Sequence, residues 1–483
     1  MADRKRTTFS PLIHLLDDDS LLNIFSLCRQ GLSHESEVDN ASNRILGKGE
    51  WSREQWWHRL VQVCRRWRYI MLESAYYLHI SLVCARGSPV ADMLAHSPLP
   101  LLINHLDEHH DITAEDEEGI ILALQHRDRV RRVRLRKSIS ISQRLVNALD
   151  GEFPILEYLL IEPQRLHWSF VEYTFNLPEA FRAPRLRHLF LTSFDFAIES
   201  PLLTTTASLV TLSLDSIPRS AYFDPNVLLQ WVSLMPQLEK LGIFFQNFPF
   251  PSHGIEGQLL RTPIMTRVTL PNFRCLGFKG ASTYLETLLC QVTIPLLKML
   301  QVYFFRQLTY PIPHLRQVMS TAEIFRPNTI TFTVHGQFLE VTGYPHEGAR
   351  MYTLSVSLGG RGLNLQVASA AQVCRTLRTI FSSVEHLTII YYGHNKSSRN
   401  TAPDRTQWRE LLGVFVNVKT LFVGRDFVRP LSHALQPDEG ESPTELLPEL
   451  LELSCERNYL IHVFTPFIDA RHRAGYPVTL VRV

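Results

Sequence analysis

The sequence predicts an α/β protein in which strands of a parallel sheet alternate with helices along a curved repeat array, preceded by a small all-α unit. Three observations predict it. An apolar L-x-x-L-x-L box recurs about ten times after residue 129, helix-compatible segments such as 226–232 and 407–415 lie between boxes, and a tryptophan-rich stretch, 56–68, stands apart near the N-terminus. Strand, connection, helix and connection, repeated this often, stack into a solenoid.

The chain has 483 residues and is 45 % hydrophobic, enough for a large core. With 49 basic and 47 acidic residues its formal charge is +2. Bulk charge therefore gives no reason to expect nucleic acid, a membrane surface or a polyanion as partner. The seven cysteines are odd in number, scattered and never spaced as CxxC. This argues against a disulfide framework or a zinc site and for reduced core thiols. No apolar segment follows the charged first residues and no run of about 18 apolar residues occurs, so secretion and membrane spanning are not expected. The expected compartment is cytoplasmic, nuclear or both.

Residues 1–10 read as a flexible N-terminus. Asp17, Asp18, Asp19 and Ser20 then form an acidic cap suited to the positive end of a helix dipole. Leu21, Leu22, Ile24, Phe25 and Cys28 supply the apolar face of that helix. Residues 29–50 are rich in Ser, Asn, Gly and charge and read as a solvated loop insert. In the tryptophan-rich stretch, Trp56, Leu60, Val63 and Trp67 recur at intervals of four, three and four. That spacing predicts a single helix with an aromatic stripe, paired with the first helix across the loop.

Past residue 76, residues 77–83 and 98–104 alternate like strands, and 115–125 reads as a helix with Ile120, Ile121 and Leu124 inward. The boxes begin at Val130, Leu156, Leu186, Leu209, Leu238, Phe273, Leu297, Val384, Val418 and Leu450. Proline often precedes the first box residue by two, at Pro154, Pro184, Pro236, Pro295 and Pro448, and marks a turn before each strand. Between the seventh and eighth boxes, about 328–367, short strands follow one another without a helix. An antiparallel meander is expected there. Residues 466–474 read as a last helix stopped by Gly475, and 476–483 as a last strand.

Two resemblances follow from these residues. Leu16, Asp18, Asp19, Leu21, Ile24 and Phe25, then Val63, Cys64, Arg65 and Trp67, resemble the F-box, which usually runs from Leu-Pro through an acidic pair and Leu-x-x-Ile-Phe to Val-Cys-Lys/Arg-x-Trp. Asp17 departs from that pattern, standing where the family has proline, and the loop from Arg29 is longer than in compact members. The boxes look like a degenerate leucine-rich-repeat domain, lacking the family's asparagine after most boxes. The division implied is an F-box-like helical domain at 11–75 and a repeat domain at 76–483. The resemblance implies a substrate-recognition subunit of an SCF-type ubiquitin ligase. Leu16, Leu21, Ile24, Phe25, Val63, Cys64 and Trp67 would dock a Skp-type adaptor and, through it, a cullin complex. No cofactor, membrane, nucleic acid or homo-oligomer is implied. Two other classes stay open: a repeat scaffold that directs no ubiquitylation, and an enzyme with a site in the meander.

Each singled-out group also has a plain structural reading. Trp56 and Trp67 fit the core of a helical subdomain. The run Arg127, Arg129, Arg131, Arg132, Arg134, Arg136 and Lys137 is the densest basic one. If Val133 and Leu135 point inward, Arg132, Arg134 and Arg136 face the concave side, where they suit an acidic peptide, a phosphate or RNA. The plain reading is a solvated face balanced by the acidic stretch 107–118 just upstream. The same alternation puts Tyr158, Leu160, His188, Phe190, Lys240, Phe244, Gln301, Tyr303, His386, Thr388 and Phe422 on that face. Arg132, Arg134, Arg136, Tyr158, Phe190, Phe244 and Tyr303 are the candidate substrate-binding residues. Catalytic signals are weak: His109-His110-Asp111 has no second ligand cluster, and Gly359-Gly360-Arg361-Gly362 lacks P-loop chemistry and reads as a hairpin turn. The expected protein is not an enzyme.

Overall fold

The computed structural model describes residues 15–30, 56–75, 77–105, 112–136, 143–163, 174–195, 200–246, 267–305, 310–321, 325–336, 338–346, 349, 352–360, 362–392, 405–438, 440–456 and 461–482. The chain divides into two compact units, Met1–Ser169 with Pro178–Leu186 and Phe170–Leu177 with Arg187–Val483.

The first unit opens with the helix Asp18–Gln30. The tryptophan-rich stretch is not the single helix that its spacing predicts. It forms two 3-10 turns, Trp56–His58 and Leu60–Gln62, and then an α-helix, Arg65–Glu73. The break is at Cys64, whose backbone is extended (φ −158°, ψ 170°) and whose thiol accepts from the Trp67 amide at 3.5 Å, restarting the helix as its N-cap. Leu21, Phe25, Trp57, Ile70 and Met71 form one buried cluster with Ala75, Leu78, Ile80 and Leu99, and half-buried Trp56, Leu60 and Trp67 pack against it. Because Ala75 and Ile80 share that core, no break in packing falls at the boundary expected near residue 75.

Four parallel strands follow: β1 (Leu82–Cys84), β2 (Leu101–His105), β3 (Val130–Arg136) and β4 (Tyr158–Glu162). The strand expected at 77–83 is shorter and later, because 77–79 form a turn that sinks Leu78 and Ile80 into the helical core. The helix Ala114–Gln125, capped by a reciprocal Thr113–Asp116 box, packs on β1 and β2.

In the second unit the main strands are β6 (His188–Thr192), β8 (Thr211–Ile217), β9 (Lys240–Phe245), β11 (Cys275–Gly280), β13 (Met299–Phe304), β14 (Thr329–Val334), β15 (Phe338–Tyr344), β16 (Leu354–Gly359), β17 (His386–Tyr391), β18 (Thr420–Val423), β19 (Glu452–Cys455) and β20 (Thr479–Arg482). Short parallel pairs join β5 (Phe175–Asn176) to β7 (Phe194–Asp195) and β10 (Val268–Thr269) to β12 (Val292–Thr293). The large sheet runs β6-β8-β9-β11-β13-β16-β15-β14-β17-β18-β19-β20. It is parallel except at β15, which is antiparallel to both neighbours. The chain leaves β13, enters β14 beside β17, and doubles back through β15 and β16 to pair with β13 in parallel. The meander therefore lies within the sheet, and helix Leu363–Thr376 then packs on β15 and β16.

All three residues of all ten boxes are buried, none more than 5 % exposed. A strand alternates with period two, so an L-x-x-L spacing cannot lie wholly in a strand with both leucines inward. The structure resolves this with a turn. The amide of Leu156 donates to Phe153 O, Leu186 to Ala183 O, Leu238 to Met235 O and Leu450 to Leu447 O. Pro154, Pro184, Pro236 and Pro448 thus take the second turn position, where a fixed φ is favourable. The first box residue drops inward from the turn and the other two from the strand. Helix residues such as Leu228, Trp231, Leu285, Leu289, Trp408 and Leu411 are buried as well. The last helix, Thr465–Arg473, ends at Gly475, whose φ of +85° suits glycine.

Val130 lies in β3 itself, and there the extra residue becomes a bulge. Leu101 pairs with Val130 but Leu102 with Arg132, leaving Arg131 unmatched. Keeping Val130 inside is worth about 2 kcal/mol. The ladder bond forgone is worth about 1 kcal/mol. Burial wins.

The Gly359–Gly362 segment is not a hairpin turn. It joins β16 to helix Leu363–Thr376. Among the described residues no helix is long and apolar enough to cross a membrane, and no group of three His, Cys, Asp or Glu side chains is placed to hold a metal. His109, His110 and Asp111 lie outside the described residues, as does most of the 29–50 insert. Of the cysteines expected in the core, Cys84, Cys374 and Cys455 are buried, while Cys28 and Cys290 are exposed because they fall on the outer sides of their helices.

Candidate functional site

The helical part of the first unit presents one candidate surface. Asp17 Oδ1 accepts from the Ser20 amide at 2.6 Å, capping the first helix; that bond, ahead of the Ser20 hydroxyl and nearby Arg66, holds its carboxyl below the ordinary range. Arg66 ties the two helices, donating to Asp18 Oδ1 at 2.9 and 2.6 Å and to Leu16 O at 2.6 Å. Phe25 and Trp67 pack edge to face, 5.0 Å between centroids. Of the seven residues predicted to dock an adaptor, Leu21 and Phe25 are used inside the unit, at 0 and 1 % exposure, so they build the surface without forming it. Leu16, Cys64 and Trp67 are half-buried, whereas Ile24 and Val63 are exposed at 37 and 58 %. Leu27, 63 % exposed one turn beyond Ile24, and Leu15 were not predicted. The i, i+3 spacing of Ile24 and Leu27 was the available signal.

The second surface is the outer sheet face, opposite the box side chains. In the first unit Arg132 and Arg134 are half-buried there, and the Arg134 guanidinium lies 4.8 Å from the centre of the Tyr158 ring. The Arg136 side chain lies outside the described residues, as does Lys137. The basic run is not one patch. Arg129 donates to Ser97 O and to Leu99 O (3.2 and 3.0 Å), and Arg131 is buried. Leu160 is also buried.

In the second unit, ladder register places Phe190, Phe244 and Tyr303 on the outer face, each half-buried, among Ser213, Gln301, Ser355, Thr342, Thr331 and Thr388. His188 and His386 hydrogen-bond across to Thr211 and Thr420 of the next strand. Phe244 lies flat against the sheet, because a Cβ built on Gly277 or Gly242 would stand only 2.7 or 2.8 Å from its ring. The structure joins Tyr303 to groups that strand alternation alone did not single out. Lys279 Nζ is 5.1 Å from its ring centre, and Phe338 meets it edge to face at 5.6 Å. His335 stacks on Phe338 at 4.2 Å, and Tyr392 follows at 5.5 Å. Burial lowers the pKa of His335 against the opposing pull of Glu340, so the stacked ring is held toward its neutral form. Phe338 and His335 were hidden because only the reversed course of β15 brings its first residue beside the ends of β13 and β14. Phe190 and Phe244 are not brought into ring contact with this group.

No family model matches the chain, and no curated protein matches it. Among solved structures it is similar to TLR13 in a TLR13–ssRNA13 complex, at 14 % identity and a TM-score of 0.30. The match covers 80 % of this chain and 48 % of that one, so the chain spans about half the length of its neighbour. The fold itself defines a mixed α/β protein with a large, mostly parallel sheet and a recurring turn-strand unit.

Proposed function

We propose that the chain is a substrate-recognition subunit of an SCF-type ubiquitin ligase. The helical part docks a Skp-type adaptor, and the outer sheet face holds a protein target. It performs no chemistry itself; it raises the target's effective concentration near a conjugating enzyme recruited by other subunits. The observation that carries this reading is the division of labour on the helices Asp18–Gln30 and Arg65–Glu73 and the turns between them. Leu21, Phe25, Trp57, Ile70 and Met71 are buried as core, while Ile24, Leu27 and Val63 of the same short segments are left in water. Apolar side chains so placed on a well-packed unit suit a docking partner. Asp17, where the F-box has proline, caps the helix by another route.

The test is capture of a Skp-type adaptor by the full chain and by an Ile24→Asp, Val63→Asp double variant, which leaves the buried cluster intact. Recovery with the wild type and loss with the variant is expected. No recovery with the wild type, or equal recovery with both, refutes the reading.

A further inference from the structure

At the edge of the outer face where the strands of the second unit begin, the first variable position of the L-x-x-L box forms a continuous row. The Val210 amide donates to Arg187 O, Glu239 to Val210 O, Arg274 to Glu239 O and Lys298 to Arg274 O. The second variable position forms the row beside it, where Thr211, Lys240, Cys275 and Met299 are ladder partners. Farther along the first row the charges are settled, with Lys419 Nζ meeting Glu385 Oε1 at 2.6 Å. On β9, β11 and β13 they are not. Lys240, Arg274 and Lys298 stand on these three adjacent strands, the first half-buried and the other two exposed, and among the described residues their side chains make no hydrogen bond or ion pair. All three act on one half-buried side chain, Cys275, whose pKa is raised by burial; the three cations pull it down and Glu239 pushes it up. With one carboxylate against three cations, this edge carries an excess of positive charge.

Extent and donor type narrow the occupant. Strands lie about 4.8 Å apart, so the cationic edge is ~10 Å wide from β9 to β13. Its immediate flanks are neutral, Val210 and Thr211 on one side and Thr353 on the other. A nucleic-acid strand carries a charge every ~3.4 Å of rise and gains from cations strung over many phosphates, which this width does not supply. A single phosphoryl group is gripped by converging donors, typically backbone amides with an arginine fork. Here the amides of Glu239, Arg274, Lys298 and Met299 are spent on the row itself, and two of the three cations are lysines, which act as separate point charges. Cations spread in this way suit several single negative charges. Two carboxylates on one side of an extended segment stand ~7 Å apart, within the width of the edge.

We propose that this edge binds an acid-rich segment of another protein, with Lys240, Arg274 and Lys298 meeting its side-chain carboxylates. The proposal rests on the reading of the outer face as a protein-recognition surface, and deepens it by naming the chemistry of the target. Because the cations lie at the surface, they act largely on the rate of encounter, and binding weakens as salt rises. Glu239 opposes the same target.

The experiment titrates the full chain, at low salt, with a labelled twelve-residue peptide carrying glutamate at alternate positions. Beside it stand the same peptide with glutamine for glutamate, the glutamine peptide with one phosphoserine, and an oligouridylate. Tightest binding of the glutamate peptide is expected. Each exposed ion pair contributes little, so Arg274→Ala should weaken it about threefold and the triple variant Lys240→Ala, Arg274→Ala, Lys298→Ala about twentyfold or more. Glu239→Gln, which removes the opposing carboxylate, should tighten it about threefold. Lys419→Ala, which removes a cation already paired, should leave it unchanged. Thermal melts of each variant exclude unfolding as the cause. The proposal is overturned by no preference for glutamate over glutamine, by a preference that survives the triple variant, or by tighter binding of the phosphoserine peptide or the oligouridylate. Adaptor capture that persists where glutamate binding fails overturns it and leaves recruitment standing. Glutamate binding that persists where adaptor capture fails supports it and refutes only recruitment.

Discussion

Each unit buries one arginine among its described residues, and the two are satisfied in opposite ways. In the first unit Arg131, 2 % exposed, fills the β3 bulge. Its Nε and Nη2 meet the two carboxylate oxygens of Glu157 at 3.0 and 3.1 Å, and Nη2 also donates to His79 Nδ1. In the second unit Arg471, 1 % exposed, meets no carboxylate among the described residues and donates instead to carbonyls, those of Leu447, Pro448, Leu450 and Tyr476 at 3.1, 2.9, 3.2 and 3.4 Å. Burial pulls its pKa down, with Glu449 opposing, yet the guanidinium remains a cation. A charge pair and a nest of dipoles thus do the same work. Both sit where the repeat pattern is broken, at the bulge and at the last turn, where Leu447 takes a φ of +51° that a branched side chain tolerates poorly.

Replacement tests whether the two solutions are equivalent. Arg471→Met strips donors from four carbonyls at about 1 kcal/mol each and should lower stability by about 4 kcal/mol in urea unfolding. No single second substitution should restore it, since backbone carbonyls cannot be mutated away. Arg131→Met leaves Glu157 without its partner. Because that carboxylate is 23 % exposed and partly hydrated, the loss should be nearer the low end for a broken buried pair, about 3 kcal/mol. Here a second change, Glu157→Met, should recover part of the loss, because replacing both partners removes the stranded charge. If the double variant is no better than the single, Arg131 acts chiefly through His79, and the contrast between the units fails.

These two arginines also mark where sequence reasoning stops. The thirty boxed positions were legible because their order repeats, and the prolines at 154, 184, 236 and 448 fell at the turns that the L-x-x-L spacing requires. Arg131 read as one more residue of a basic run, since a bulge changes register without changing composition. Arg471 read only as part of a last helix, since three of the carbonyls it satisfies belong to a turn more than twenty residues earlier. In the same way, the period of Trp56, Leu60, Val63 and Trp67 matched a helix that Cys64 interrupts. Of the candidate site, alternation placed Phe244 and Tyr303 on the outer face. The rings that Tyr303 meets, Phe338 and through it His335 and Tyr392, depend on strand order, which no local pattern carries.

A third arginine, Arg66, gives the exposed limit of the comparison and the smallest expected effect. It pairs with Asp18 at side-chain exposures of 38 and 61 %, where an ion pair contributes little. Beside it, Asp17 caps the first helix as an anion, and its pKa lies below the ordinary 3.8, chiefly through the Ser20 amide. A carboxyl with a depressed folded-state pKa contributes stability that is present above the unfolded value and is lost as pH falls through the folded one. Hydrogen exchange of the 15–30 segment, followed from pH 5 to pH 2, should therefore show protection declining below about pH 4 in the wild type. Asp17→Asn, which caps without titrating, should remove the part of that decline due to this group while leaving the helix protected at pH 5. The same decline in both proteins would mean that the cap's charge is immaterial and that the segment is held by Leu21 and Phe25 alone.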